Sequence, residues 1–227
     1  MATTVASHKL SGRVIPIKDN IPTDRMPVVT LALIIVNVVV YLLAVANSGS
    51  LISGPAPHEL AAVPSGLTPG ASITSLFVQG SIVQLLGNML FLWIFGSSLE
   101  DAMGPIRFLA FYLVAGLIAL GIQVALDPGT SAPTAGAAGA IAAVIGGYLR
   151  IYPRGRVLSL VLIVFFFGVL EVPVLVMLGL WLAMQAVFGN GAPAYVAHAV
   201  TLGLGFATAG WLCPRRKPMP PTAAAYR

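Results

Sequence analysis

The chain has 227 residues, of which 58% are apolar and only 8% are charged, and its mean hydropathy is +0.94. Soluble domains carry about 25% charged residues, so this chain cannot cover a surface that faces water, and it belongs in a lipid bilayer. The net charge of +5 does not indicate nucleic-acid binding, because the basic residues form short clusters beside apolar runs. The single cysteine, Cys213, excludes an internal disulfide.

The first apolar run follows a polar leader. Residues 1–26 contain proline and four Lys or Arg side chains, which predicts a cytoplasmic tail. The run at residues 27–46 has the roughly 20 residues that a transmembrane helix needs. Because Ala44-Val45-Ala46 resembles a cleavage site, a signal peptide is the alternative to an uncleaved anchor. The long polar leader and the length of the run favour the anchor.

Three further apolar runs predict the second, third and fourth spans; they cover residues 73–99, 106–126 and 136–151. A Gly-, Pro- and Ser-rich loop, residues 47–70, precedes them. The second run ends at Glu100-Asp101, the third at Asp127-Pro128 and the fourth before Pro153.

The remaining apolar sequence allows two topologies. Residues 157–170 either cross the membrane or lie along its cytoplasmic face, and the runs 174–188 and 194–212 follow. If residues 157–170 cross, the chain has seven spans and the cluster Arg215-Arg216-Lys217 lies outside. If they stay at the face, the chain has six spans and that cluster lies inside. The positive-inside rule and the shortness of the segment favour six.

The sequence therefore predicts an all-α polytopic membrane protein with six transmembrane helices. Its predicted parts are a polar cytoplasmic N-terminal tail, a membrane domain and a basic cytoplasmic C-terminal tail, at residues 1–26, 27–212 and 213–227.

This topology places polar side chains of three non-adjacent helices at one depth. The second span runs inward, so Gln79, Gln84 and Asn88 lie in its outer half. The fourth and sixth spans also run inward, so Ala138 and His198 lie near their outer ends. Polar groups at membrane depth normally face the bundle interior or water. The sequence thus predicts a polar cluster with Ala138 beside it.

The fourth and sixth spans carry faces with almost no side chains, formed by Gly139, Ala142, Ala143, Gly146 and Gly147 on the fourth and by Ala197, Thr201 and Gly205 on the sixth. Small residues let two helix backbones approach closely. We therefore expect these two helices to pack tightly against each other.

Four motifs stand in a fixed order along these spans. They are Leu86–Gly96 (LGNMLFLWIFG), Leu99-Glu100-Asp101 with Gly104, Gly136–Ile141 (GAAGAI), and Gly191-x-x-Ala194-Tyr195-x-Ala197-His198. Together they resemble the rhomboid family of intramembrane serine proteases, bacterial type, over about residues 27–212. The resemblance implies a six-helix rhomboid fold.

The resemblance also implies site roles. In active members a GxSG serine on the fourth helix is the nucleophile, and a histidine on the sixth is its general base. A histidine and an asparagine on the second helix donate hydrogen bonds to the oxyanion. By position, His198 matches the base and Asn88 the asparagine, whereas Gln84 replaces the oxyanion histidine and Gln79 an earlier histidine. Ala138 stands at the nucleophile position and cannot attack a carbonyl.

These replacements have unequal weight. Losing one oxyanion donor costs about 10²–10³ in rate, and Gln84 keeps an amide donor; losing the nucleophile costs about 10⁶. An engineered serine-to-alanine trap would account for Ala138 but not for Gln79 and Gln84. Thr201 also replaces a glycine that is usual in the family, which predicts altered packing against the fourth helix. The sequence favours a natural pseudoprotease that handles transmembrane client segments.

Two other functions stay open from the sequence. An active intramembrane endopeptidase would need a displaced nucleophile, for which the hydroxyls on the correct side are Ser72, Ser75, Ser81, Ser131 and Thr134. Such hydroxyls more often cap helices or bond to backbone. A small transporter or channel is the minor alternative, disfavoured because the spans hold few ionisable groups.

Other polar and aromatic residues have structural expectations. His198 is expected to hydrogen-bond to Tyr148 or another polar group. Glu100, Asp101 and Arg107 are expected to tie the turn between the second and third helices. The tryptophans are expected to face lipid or the interface; they are Trp93, Trp181 and Trp211.

No metal or cofactor is expected, because His8 and His58 lie in the tail and loop, away from His198. The expected partners are the lipid bilayer and transmembrane segments of client proteins, without nucleic acid. The expected location is a bacterial plasma membrane, with both termini cytoplasmic. The sequence names neither a client nor an oligomeric state.

Overall fold

The computed structural model describes residues 18–19, 21, 23–48, 60–131, 134, 136–163, 166–188 and 191–214. Its α-helices are α1 (Val28–Ser48), α2 (Pro69–Thr74), α3 (Ile82–Phe91), α4 (Ser97–Met103), α5 (Pro105–Leu126), α6 (Ala138–Ile151), α7 (Val174–Phe188) and α8 (Ala192–Leu212). A π-helical turn, Leu92–Gly96, joins α3 to α4, and single 3-10 turns cover Pro64–Gly66 and Ser75–Phe77. The strands are β1 (Lys18–Asp19), β2 (Arg156–Ile163) and β3 (Phe166–Pro173).

Among the described residues, four helical segments are long and apolar enough to cross a membrane: Val28–Asn47, Ile82–Met103, Pro105–Leu126 and Ala192–Leu212. Two shorter apolar helices, Ala138–Ile151 and Val174–Val187, stand where the fourth and fifth spans are predicted. The prediction of a mostly helical polytopic membrane protein is confirmed. The count of six crossings stays a prediction.

Residues 157–170 depart from the all-α prediction. They are neither a spanning nor an interfacial helix, because β2 and β3 pair as an antiparallel hairpin, with Val157 opposite Val172 and Ile163 opposite Phe166. The segment is rich in β-branched and aromatic residues, which favour strands. It follows Pro153, where α6 cannot continue. Hairpin pairing then satisfies the backbone within the segment.

The predicted N-terminal tail contains a packed part. β1 pairs with β2 and completes a three-stranded sheet in the order β1-β2-β3. Ile21 follows it and is only 2% exposed, within the hydrophobic core. Residues 1–17 and 215–227, and with them His8 and the terminal basic cluster, lie outside the described residues, as does the loop histidine His58.

The two ends of the bundle are distinct. At one end, called here the sheet end, α1 and α5 begin, α6 and α8 finish, and the sheet leads into α7. At the other, called here the site end, α3, α6 and α8 begin. The helices α6 and α8 run parallel, since Gly139 meets Thr201 and Gly147 meets Ala209.

Helix α6 is the centre of the bundle, buried on every side from Ala138 to Leu149. The predicted tight contact with α8 is confirmed: a Cβ at Gly146 would overlap the Leu202 carbonyl oxygen, and one at Gly205 would overlap the Ala143 carbonyl oxygen. Small residues are therefore required at this contact.

Thr201 adds side-chain hydrogen bonds to this contact. Its hydroxyl lies 2.9 Å from the carbonyl oxygens of both Gly139 and Ala197. The side chain that replaces the usual glycine therefore ties α8 to the first turn of α6.

Glu100 holds α1, not the turn between the second and third spans as the sequence predicted. Its buried carboxylate accepts hydrogen bonds from the Val29 N–H (2.9 Å), the Thr30 N–H (2.8 Å) and the Thr30 hydroxyl (2.8 Å). The first N–H groups of a helix have no partner within the helix, and a negative charge is favourable there. One carboxylate thereby fixes the start of α1 against the end of α4.

Candidate functional site

Gln79 and Asn88 belong to a chain of hydrogen bonds that reaches α1. The Asn88 amide Nδ2 donates to Gln79 Oε1 (2.9 Å), and Gln79 Nε2 donates to Asn37 Oδ1 (2.8 Å). Asn37 in turn donates to the Leu33 carbonyl (2.8 Å), and all three polar side chains are buried. The Asn88 amide is thus already engaged by the residue that replaces the earlier histidine.

Asn37 was missed by the sequence reasoning. A signal was present, because it is the only amide in the apolar run at residues 27–46. A lone polar side chain at membrane depth is expected to face the bundle interior.

Gln84 caps its own helix and faces the turn that leads into α6. Ser81 caps α3 by accepting the Gln84 N–H (3.2 Å), while Gln84 Oε1 accepts the Gly80 N–H (2.9 Å), much as in a capping box. The Gln84 Nε2 lies 3.5 Å from where a Cβ at Gly136 would be. Gly136 has φ +126°, a conformation suited to glycine. An amide donor therefore points at the backbone two residues before Ala138.

The nucleophile and base positions are adjacent. Ala138 is the first residue of α6 and is 3% exposed, and His198 on α8 is 5% exposed. The His198 Cδ2 lies 3.8 Å from where a Cβ at Gly139 would be. The structure therefore brings His198 to the first turn of α6.

The expected hydrogen bond between His198 and Tyr148 is not found among the described residues. The buried Nδ1 of His198 and the Tyr148 hydroxyl both have no hydrogen-bond partner there. The Tyr148 ring packs instead against Phe95 (4.9 Å) and Tyr152 (5.2 Å). No hydrogen bond joins Asn88 and His198 in this part of the chain either.

Helix α7 contributes two side chains that the sequence reasoning placed elsewhere or missed. Trp181 is fully buried and lies 5.7 Å from His198 between ring centroids, so its prediction as a lipid-facing anchor is wrong. Trp211, in contrast, is 88% exposed, as predicted. Gln185 follows Trp181 by one turn and is 3% exposed; a lone amide in an apolar helix was the available signal.

Five buried polar atoms around α3, α7 and α8 have no hydrogen-bond partner within the described ranges: Asn88 Oδ1, Trp181 Nε1, Gln185 Nε2, Gln185 Oε1 and His198 Nδ1. Gln185 also borders an open cleft of about 440 Å³ between α7 and α8. Buried polar groups in folded proteins are normally paired, so such a concentration calls for an explanation.

Three of the five candidate displaced nucleophiles serve helix ends. The Ser72 hydroxyl donates to the Thr68 carbonyl (2.9 Å), the Ser75 hydroxyl donates to the Ser72 carbonyl (3.1 Å), and Ser81 caps α3. Thr134 forms an isolated backbone bridge with Ala62. Among the described hydrogen bonds, none joins these hydroxyls to His198.

The described residues contain no group of three or more His, Cys, Asp or Glu side chains that could hold a metal ion. The expectation that the protein uses no metal or cofactor stays a prediction.

Comparison with known proteins places these features in one family. The Rhomboid domain matches residues 68–215. Presenilin-associated rhomboid-like protein, mitochondrial, of Mus musculus is 34% identical over 97 residues, and that of Homo sapiens is 33% identical over 97; each match covers 42% of this chain and 26% of the relative. Presenilin-associated rhomboid-like protein A, mitochondrial, of Danio rerio is 30% identical over 86 residues, which are 37% of this chain and 22% of the relative.

The matched segments span about a quarter of the length of these relatives. The domain match, in contrast, covers more than half of this chain and includes α3 to α8. With its apolar helical bundle, the chain is an integral membrane protein that belongs to the rhomboid family.

Proposed function

We propose that this protein is a proteolytically inactive member of the rhomboid family that binds transmembrane segments of client proteins. The observation that carries the proposal is Ala138, which begins α6 beside His198, where the family has its serine. A methyl group cannot be deprotonated to form a nucleophile. His198 therefore occupies the general-base position, but the neighbouring Ala138 offers no group for it to activate.

The hydrogen bonds of the remaining polar side chains also support an inactive site. Gln79 joins Asn37 to Asn88, so the amide that would stabilise an oxyanion is bound within the bundle. Gln84 uses its amide oxygen to cap the start of α3. Both replacements make structural hydrogen bonds that stabilise the resting site.

The unpartnered atoms support binding. A buried donor or acceptor without a partner costs about 1–3 kcal/mol. Both amide atoms of Gln185 have no hydrogen-bond partner among the described residues, and they lie at an open cleft. Where a client helix ends, its backbone offers unpaired N–H donors or C=O acceptors. We therefore propose that Gln185 pairs with the client, together with Trp181, one turn earlier on α7, and His198 on α8.

The boundary between α3 and α7 supports a route for the client. A Cβ at Gly87 would overlap the Met184 thioether, so Met184 fills the hollow that Gly87 leaves. Met is flexible and repacks readily. Separation of the two helices would thus displace one adaptable side chain, and we propose entry between them.

Labelling with a fluorophosphonate serine probe tests the missing chemistry. We expect no labelling of the folded protein in detergent, with an active rhomboid protease as the positive control. Labelling that one serine substitution removes would identify a displaced nucleophile and overturn the proposal. In the variant Ala138→Ser, we expect at most trace labelling, because the Asn88 amide remains engaged by Gln79.

Site-specific photo-crosslinking tests the binding. A photoreactive residue replaces either Tyr195, which borders the same cleft as Gln185, or Trp211, which is 88% exposed, and a panel of single-span test proteins is co-expressed. We expect crosslinks to single-span proteins from position 195 well above those from position 211. Equal yields from both positions would contradict client binding at this site.

We also propose a bacterial plasma membrane location, with both termini cytoplasmic, for the predicted tail, membrane domain and tail at residues 1–26, 27–212 and 213–227. The supporting pattern is the basic residues before α1 and after α8, together with Arg150 and Arg154 at the sheet end. Activity of a periplasmic reporter fused after residue 227 would contradict this orientation.

A further inference from the structure

A groove runs along the surface of the bundle between α5 and α8, apart from the site around His198. It has a volume of about 340 Å³. Its walls are mostly apolar and include Ala110, Val114 and Ile118 from α5 and Leu204, Thr208 and Leu212 from α8. Small side chains such as Ala110 leave the space between the two helices unfilled.

One end of this groove is basic. Arg107, in the first turn of α5, lines that end and is exposed. Within the described part of the chain, Arg107 makes no hydrogen bond or ion pair, and no acidic side chain lines the groove.

The length of the groove fits one leaflet of a membrane. Arg107 and Ile118 are eleven residues apart on one helix, which is roughly 16 Å at 1.5 Å per residue. Half of a hydrocarbon core of about 30 Å is nearly the same length. A cation at the surface and an apolar channel across one leaflet are complementary to a phosphate headgroup joined to an acyl chain.

We propose that the α5–α8 groove binds an anionic phospholipid, with the headgroup phosphate at Arg107 and one acyl chain along the groove. An arginine side chain presents several donors that match phosphate oxygens. Basic pockets between transmembrane helices are suited to anionic headgroups. A zwitterionic lipid fits less well, because its ammonium group finds no carboxylate among the described residues of the groove.

Native mass spectrometry of the full-length protein tests the headgroup. The protein is released from detergent with equimolar phosphatidylglycerol and phosphatidylcholine. We expect phosphatidylglycerol to be retained in several-fold excess. Because a basic side chain near the membrane surface contributes about 1 kcal/mol, Arg107→Gln should lower that retention about fivefold. Arg107→Lys should keep most of it.

Two further variants decide the location. Arg150→Gln is the matched control, since Arg150 also lies at the sheet end but stacks on the Phe206 ring at 5.6 Å. Ala110→Phe should fill the groove and lower retention of both lipids, with the fold checked by circular dichroism. Equal retention of both lipids by the wild type, or equal losses in Arg107→Gln and Arg150→Gln, would overturn the headgroup assignment. Unchanged retention by Ala110→Phe would overturn the acyl-chain assignment.

Discussion

Two buried polar clusters at opposite ends of the bundle differ in how fully their hydrogen bonds are satisfied. At the sheet end, the Glu100 carboxylate accepts three hydrogen bonds from the first turn of α1. At the site end, the cluster around His198, Trp181 and Gln185 includes atoms with no partner in the described residues. Because an unpaired buried group costs about 1–3 kcal/mol, a cluster that only joins helices is expected to be saturated. Whether all hydrogen bonds of a buried cluster are satisfied therefore distinguishes a structural role from a binding role. The cluster around His198, in which some polar atoms are unpaired among the described residues, is the one suited to a ligand.

The largest effect is expected from Glu100→Ala. The substitution leaves the Val29 and Thr30 donors without their acceptor, and hydrogen bonds to charged groups are each worth about 1.5–3 kcal/mol. We expect a loss of about 3 kcal/mol or more, measured as thermal unfolding in detergent. Asp127→Ala, at an exposed turn, is the control and should change little. A variant as stable as the wild type would show that this cluster is not what holds α1.

A slightly smaller effect is expected from Gly205→Ala, which disturbs the contact that brings His198 to α6. The new Cβ would overlap the Ala143 carbonyl, and overpacking of this kind costs about 1–3 kcal/mol. Gly203→Ala is the matched control on the same helix, because a Cβ there meets nothing within 4 Å. Similar unfolding temperatures for the two variants would contradict the close α6–α8 contact.

The polar chain at the site end offers an intermediate test. Gln79→Leu removes the link between Asn37 and Asn88 and leaves both amides short of a partner. We expect a loss of about 1–3 kcal/mol, again from thermal unfolding. The double variant with Asn37→Leu should lose less than the sum of the single losses, because the two residues share one bond. Strict additivity would argue against that bond.

The smallest effect, and one of opposite sign, is expected from Gln185→Leu. Replacing an unpaired buried amide by an apolar side chain of similar size is nearly neutral or stabilising. We expect an unfolding temperature equal to or slightly above that of the wild type, with reduced crosslinking of single-span test proteins from a photoreactive residue at Tyr195, which borders the same cleft. A clear loss of stability would show that Gln185 is already paired, and the comparison of the two clusters would fail.

Much of this arrangement could be predicted from the sequence. The length of an apolar run indicates a membrane helix, and the spacing of small residues indicates where two helices pack closely. The runs around α1, α5 and α8 were long enough to be recognised without tertiary information. The small residues of α6 predicted its contact with α8, since no other side chains would allow the backbones to approach. The prediction was weakest at residues 157–170, where a short apolar run does not distinguish a helix from a hairpin.

The partners of polar side chains could not be predicted in the same way. Glu100 was expected to serve the nearest turn in sequence, yet it binds the first turn of α1, about 70 residues away along the chain. Trp181 was expected to face lipid, yet it packs on His198. Helical periodicity predicts which residues share one face of a helix, but it does not predict which other helix packs against that face.

By itself, the sequence determined that the chain is a membrane protein with the rhomboid motifs in order and an alanine at the nucleophile position. These properties are local, because composition, run length and motif spacing are read along the chain. Only the tertiary structure decided that Gln79 closes a hydrogen-bonded chain with Asn37, while the Gln185 amide and the His198 Nδ1 have no hydrogen-bond partner among the described residues. Hydrogen-bond saturation depends on which side chains from distant helices meet within about 3 Å, and that is fixed only when the helices pack.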